Sequence, residues 1–508
     1  MAVERSLKLN TFGKSNTSGK SNTFGKINFN ASQIGFGGYR VYEKSKEHAD
    51  ALEYALLNGV NIIDTSSNYT GGKSERLIGN TLKQMLQEGE INREDVLIIS
   101  KGGYVQGENM AIARKHEAQG HAFPEMVKYM EGCWHCINPD FLENQLQRTL
   151  NNLQMESLDI YLLHNPEYFL THTKQKHLMD PVSACKEYER RIGQAFCWLE
   201  EKVKTGKIKA YGISANTFIS PADDFEFTSL ERVLEIAEAI RPDHNFKVIQ
   251  FPLNLFEPGA CLEKNQACGT KTLLEFALEK NIATLINRPL NAIVNNKMIR
   301  LADFDDINHK LLMEDFSRLQ KKTMGMENQF KTDFKNKWPN KNDFSQSSRL
   351  FSIPYYLSSA FIEIHGWEQW DYEKEYRIMP QIYEDVNYLE NIMTTDVEWQ
   401  DWVTEFSQSI IKLLEIATTQ FKTSKHAFAE MFCQRLNELD PALKSSASLS
   451  QKTLRILESI PGVNTILLGM RKREYVDDAL KTFKEPPIQD AVSILSSISQ
   501  EELIQQWN

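Results

Sequence analysis

Residues 61–101 read NIIDTSSNYTGGKSERLIGNTLKQMLQEGEINREDVLIISK. A short β-branched run, NIID (61–64), stops at an acid. A polar, glycine-containing stretch follows, then SERLIGNTLKQML with apolar residues at helical spacing, then a second β-branched run, VLIISK (96–101), that stops at a lysine. Short apolar runs with period-two or continuous burial read as strands, and recurrence at three and four reads as helix. The stretch is therefore one strand–helix–strand unit. Gly71-Gly72-Lys73-Ser74 resembles the end of a phosphate-binding loop, but that motif needs a glycine five positions before Gly72, and position 67 is Ser67. Thr70-Gly71-Gly72 instead reads as a turn, with Ser74 expected to cap the following helix.

The same alternation extends in both directions. Strand candidates are QIGFGG (33–38), NIID (61–64), VLIISK (96–101), LDIYLLH (158–164), IKAYGIS (208–214), FKVIQF (246–251), IATLIN (282–287) and NTILLG (464–469), with helical segments between them. Eight strands alternating with helices predict an α/β fold, a closed (β/α)8 TIM barrel of parallel strands. An open dinucleotide-binding sheet would want G-x-G-x-x-G after its first strand, and Arg40 stands where the third glycine belongs. Two segments interrupt the repeat. Residues 102–138 lengthen the connection after the third strand. Residues 291–424 separate the seventh strand from the last barrel units and predict a helical insertion, since so long a connection needs structure of its own. It carries Trp338, Trp367, Trp370, Trp399 and Trp402, read as a self-packed apolar core or, more sharply, as an aromatic cover over a substrate. The expected organisation is a flexible N-terminal repeat over 1–29 leading into a hairpin, a first barrel part over 30–290, the insertion over 291–424, and barrel completion with a tail over 425–508.

Composition narrows the function. The chain has 508 residues, is 41% hydrophobic and carries a net charge of −10, which argues against nucleic-acid binding through a basic surface. Seven cysteines in a chain this long suit a reducing, cytoplasmic setting rather than a disulfide framework. No apolar run is long enough to span a bilayer. The repeat TFGKSN-TSGKSN-TFGKIN over 11–28 reads as duplicated flexible sequence; with no arginine in 6–30 a transit peptide is not favoured. Cys133-Trp134-His135-Cys136, with His116 and His121 upstream, lacks a second closely spaced cysteine pair, so no metal site is expected.

Chemistry in such barrels sits at the C-terminal strand ends. There the pattern places Asp64 and, in the following loop, Tyr69, then Lys101 and His164 on the next two strands. An ammonium beside a phenol favours phenolate and makes the phenol a better acid, a carboxylate anchors the ammonium, and an imidazole can orient a carbonyl oxygen. That set suits proton delivery to a carbonyl receiving hydride. The sequence resembles the aldo-keto reductase family in TFGKINFNASQIGFGGYR, GVNIIDTSSNYTGGKSERLIG, IISK, LDIYLLHNPE, GKIKAYGIS, VIQFPLNL and RPLNA. The resemblance implies a catalytic set of Asp64, Tyr69, Lys101 and His164 and an NAD(P)H-dependent reduction of an aldehyde or ketone. It places nicotinamide contacts at Ser214 and Gln250, with Asn216 in the family's usual Ser-Asn position offset by one. The strand-seven loop, Asn287, Arg288, Pro289 and Leu290, lacks the aromatic that stacks on nicotinamide in many members; Arg288 is open to a pyrophosphate or a substrate anion. After strand eight, Gly469 leads into Arg471, Lys472 and Arg473, three cations that favour NADP over NAD. The competing function is a cofactor-holding regulatory protein, as in the potassium-channel beta subunits, using 291–424 as a partner surface. A phosphate-handling barrel lyase or isomerase is the third reading.

Overall fold

The structure is a computed structural model in which residues 23–294, 297–302, 309–334, 353–364, 367–391, 395–423, 426–482 and 485–499 are described. The first two copies of the six-residue repeat, Trp338 and the last residues of the tail lie outside them. The third copy, TFGKIN, forms an antiparallel hairpin of β1 (Thr23–Phe24) and β2 (Ile27–Asn30). The barrel begins with β3 (Ile34–Gly37), β4 (Ile62–Asp64) and β5 (Leu97–Gly102). Three short strands intervene, β6 (Tyr104–Val105), β7 (Val127–Met130) and β8 (Cys133–His135). The barrel resumes with β9 (Leu158–His164), β10 (Ile208–Ser214), β11 (Phe246–Pro252) and β12 (Ala283–Asn287). A two-stranded ribbon of β13 (Asn291–Val294) and β14 (Lys297–Arg300) follows, and β15 (Thr465–Leu468) closes the cylinder against β12 and β3.

All eight barrel strands are parallel and neighbour one another in chain order. Their residues are buried on both faces, which is why they read as continuous apolar runs rather than alternating ones. Phe24 of the hairpin is fully buried among Ile62, Leu97 and Ala283, residues at the N-terminal ends of β4, β5 and β12. The hairpin thus caps one end of the cylinder, and the polar strand ends gather at the other. Register fixes their neighbours: Asp64 lies beside Gly37 and Ile99, and Ser214 lies beside both His164 and Gln250.

Local signals set the helix ends. Lys46–Leu57 starts at Ser45, whose side chain accepts the His48 backbone N–H. Pro139–Leu153 has Asn138 as its cap and proline in its first turn. Leu273–Glu279 starts in a reciprocal capping box between Thr272 and Glu275. Ser74 departs from expectation. The cap of Lys73–Gln87 is Gly72, in the left-handed conformation at φ 82°, while Ser74 is buried and its hydroxyl bonds Gly38 O at 2.8 Å and Thr65 Oγ1 at 2.9 Å. It ties the turn to β3 instead of capping.

Residues 102–138 are more than a long loop. They form a three-stranded antiparallel sheet in the order β6-β8-β7 with a helix, Gly107–Ala118. Cys133 and Cys136 are buried in it; Gln106 Nε2 donates to Cys133 Sγ, and Cys136 Sγ donates to Pro124 O. His116 stacks on Phe123. Among the described residues no three His, Cys, Asp or Glu side chains are arranged to hold a metal ion.

The chain divides into two compact units, one running to Ala292 and resuming at Leu439, the other spanning Ile293–Glu438. The helix His426–Leu439 lies almost wholly in the second unit, whereas the sequence pattern assigns it to the barrel. Among the described residues the second unit is helical beyond its ribbon, with the long helices His309–Gln329 and Val397–Thr423 packed together. Trp370, Trp399 and Trp402 are buried in it. Trp402 stacks on Trp399 and Phe406, and the indole N–H groups of Trp370 and Trp399 donate to Thr418 Oγ1 and Leu389 O. These three rings are used up in the unit's own core. No helix among the described residues is long and apolar enough to cross a membrane.

Candidate active site

Asp64 and Lys101 reach the open end of the barrel because each is at or next to the last residue of its strand. Tyr69 arrives by a tight turn: Thr70, Gly71 and Gly72 all have positive φ, which reverses the chain over the strand ends. Lys101 Nζ lies 2.6 Å from Asp64 Oδ2, 3.0 Å from Thr65 O and 3.1 Å from Tyr69 Oη. An ammonium has three N–H donors, and here three acceptors meet them in a site where Lys101 is 0% exposed. Burial pulls the lysine pKa down from its usual range, opposed by Asp64. Burial likewise raises the Asp64 carboxyl, opposed by Lys101 and by Gln250.

His164 ends β9 with its ring centroid 6.0 Å from that of Tyr69. Burial, and secondarily the charge of Lys101, pushes its pKa well below the ordinary histidine value, so the ring is neutral at physiological pH. Its Nδ1 lies 3.1 Å from Ser66 Oγ.

The expected cofactor-side residues join the same network. Ser214 Oγ donates to Gln250 Oε1 at 2.9 Å, and Gln250 Nε2 donates to Asp64 Oδ1 at 2.8 Å. Asn287 Nδ2 reaches Gln250 Oε1 at 3.4 Å, while Asn287 Oδ1 is buried with no partner among the described residues. An unmet amide oxygen between two other amide and hydroxyl groups is a cradle of the kind that a carboxamide completes. Asn216 opens a short 3-10 turn and gives its backbone N–H to Glu167 Oε1 at 2.8 Å.

The loop cations are partly engaged elsewhere. Arg288, at φ 52° after β12, is bound to Glu257 at 2.5 Å and so offers little net charge to a pyrophosphate or substrate anion. Pro289 and Leu290 follow it in the turn, with Leu290 buried. Gly469 and Arg471 follow β15; Lys472 pairs with Glu47 and Arg473 sits over the Tyr54 ring.

Two side chains make contacts that the sequence reading did not foresee. His135 Nε2 lies 2.7 Å from His164 O. Glu167 is a buried carboxyl whose pKa burial pushes up to about 8. The Asn-Pro-Glu that follows His164 and the His between the two cysteines were visible in the sequence, but nothing local says which backbone group each one meets.

Comparison with known proteins converges on the same fold. Mouse aldo-keto reductase family 1 member C13 is 25% identical over 40% of this chain and 49% of its own. Aldose reductase C of Dictyostelium discoideum is 26% identical over 40% of this chain and 54% of its own. The NAD(P)H-dependent D-xylose reductase of Scheffersomyces stipitis is 25% identical over 37% and 49%. The chain thus spans about half the length of these relatives. The family description "Aldo/keto reductase family" matches residues 33–327, more than half of the 508. With the eight-stranded parallel barrel and that match, the chain belongs to the aldo/keto reductase family.

Proposed function

We propose that the protein is an NADP(H)-dependent oxidoreductase that reversibly reduces an aldehyde or ketone to an alcohol, with Tyr69 as the acid–base residue. The observation that carries this reading is the Lys101 ammonium shared between Asp64 and Tyr69 Oη in a buried strand-end site. Tyr69 Oη accepts from Lys101, a role that leaves the phenol its capacity as a proton donor. The adjacent cation stabilises the phenolate left after proton transfer. Asp64, held on its second oxygen by Gln250, keeps Lys101 charged and in place. Neutral His164, with Nδ1 3.1 Å from Ser66 Oγ, orients the carbonyl oxygen in the tautomer that carries its proton on Nε2.

Ser214, Gln250 and Asn287 fit a nicotinamide carboxamide, with Asn216, Arg288, Pro289 and Leu290 lining the neighbouring loops. Gly469, Arg471, Lys472 and Arg473 would meet the adenosine end, with Arg471 best placed for a 2′-phosphate because Lys472 and Arg473 have partners. A bound nicotinamide supplies hydride from C4. The Scheffersomyces stipitis relative is named for NAD(P)H and D-xylose, which supports the cofactor class and a carbonyl substrate.

The test is Tyr69→Phe. NADPH oxidation against a panel of aldehydes and ketones should fall by about 10²–10⁴-fold, while NADPH binding followed by fluorescence persists. Undiminished turnover removes Tyr69 from the mechanism.

A further inference from the structure

We propose that His135, on the added sheet β6-β8-β7, is a positioning residue for His164: its Nε2–H holds the His164 carbonyl and so fixes the peptide that aims the imidazole. The proposal rests on the reading of His164 as the group that orients a carbonyl. His135 is 1% exposed, and its Nε2 lies 2.7 Å from His164 O. A carbonyl only accepts, so His135 donates from Nε2. Burial holds its pKa at about 4, which leaves a neutral donor that places no charge beside His164.

The surroundings of the added sheet support the same contact between His135 and His164. Tyr104 is the register partner of His135, and its ring meets the His164 ring edge-on at 4.6 Å. Asn165 Nδ2 donates to Tyr104 Oη at 3.2 Å. Tyr168 stacks on His135 with centroids 5.7 Å apart. Gly103 has φ 141°, and a Cβ there would lie 2.8 Å from His135 Nε2 and 2.9 Å from His164 O. Only glycine lets the sheet come close enough for the bond. A connection serving merely as a longer loop needs neither the glycine nor two grips on consecutive residues. The titratable groups around His164 are Lys101 and Tyr69 on the barrel side and Tyr104 and His135 on the added sheet, with Asp64 behind Lys101.

The experiment compares full-length wild type with His135→Phe, which keeps a ring but no donor, and His135→Gln, which keeps an N–H. Ring-¹⁵N histidine spectra are followed over pH, with the His164 signal assigned by His164→Asn. The wild type and H135Q should hold His164 neutral in one tautomer. In H135F the His164 signal should lose that single tautomer and titrate at higher pH. Carbonyl reduction by H135F should show kcat lowered about tenfold to a hundredfold with KM for NADPH unchanged, and H135Q should restore it. Unchanged His164 spectra in H135F overturn the proposal, as does an H135Q as impaired as H135F. If H135F does not fold, H135M, matching Gln in length without a donor, replaces it. Absence of any carbonyl reduction by the wild type would sink the proposed function, yet the spectra would still decide whether His135 positions His164.

Discussion

Lys101 illustrates how a charge survives burial. Its ammonium has an acceptor for every proton, so the desolvation penalty is met by a carboxylate, a carbonyl and a phenol. Lys101→Met removes that partner and leaves the Asp64 carboxyl buried; urea denaturation at pH 7 should show a loss of about 3–5 kcal/mol, together with loss of turnover. His135 gives a pH signature. Its folded pKa of about 4 lies below the unfolded value of about 6.5, so the unfolded chain takes up the extra proton first as pH falls. The stability it contributes is present above pH ~6.5 and is lost on the way down to ~4, roughly 3 kcal/mol in all. Denaturation at pH 7 and pH 4.5 should show that loss in the wild type and a smaller one in H135Q. Arg471→Ala should raise KM for NADPH about tenfold and leave KM for NADH nearly unchanged, as steady-state kinetics with both cofactors will show.

The connections between strands carry what the strands cannot. The turn after β10 is pinned by Glu167, which sits after β9 and accepts the Asn216 backbone N–H. Its carboxyl pKa is raised to about 8 from an unfolded value near 4.5. The folded protein therefore holds a proton the unfolded chain gives up, and stability falls as pH rises from ~4.5 through ~8, by an amount on the order of 5 kcal/mol at most. Glu167→Gln keeps the acceptor for Asn216 and removes the ionisable group. Thermal melts at pH 9 should place its midpoint above that of the wild type, with the difference vanishing near pH 5.

The whole chain has two compact units with separate apolar cores. Unfolding of such a chain need not be two-state. Calorimetry should resolve more than one transition. Trp402→Ala, which empties a site between Trp399, Phe406 and Phe330, should lower one transition by the equivalent of about 3–5 kcal/mol and leave the other in place. A single transition that shifts as a whole would show that the units unfold together.

How much of this was legible follows from how far apart the interacting residues are. The barrel strands and the candidate residues Asp64, Lys101 and His164 could be read from the chain because strand and helix periods are local, and parallel strands joined by helices put every strand's last residue at one end. Tyr69 followed from the turn beside it. Ser74 was misread as a cap because a buried hydroxyl bonds whatever the fold brings near, here Gly38 O and Thr65. Gln250 bonding Asp64 across 186 residues, Glu257 neutralising Arg288, and His135 gripping His164 have no periodic or neighbouring signal. Hydrogen bonds and ion pairs depend on direction and on distances of about 3 Å, and only closure of the cylinder and docking of the added sheet set those distances. Burial, which moves the pKa values of His135, His164 and Glu167, is likewise a property of the packed chain and not of any stretch within it.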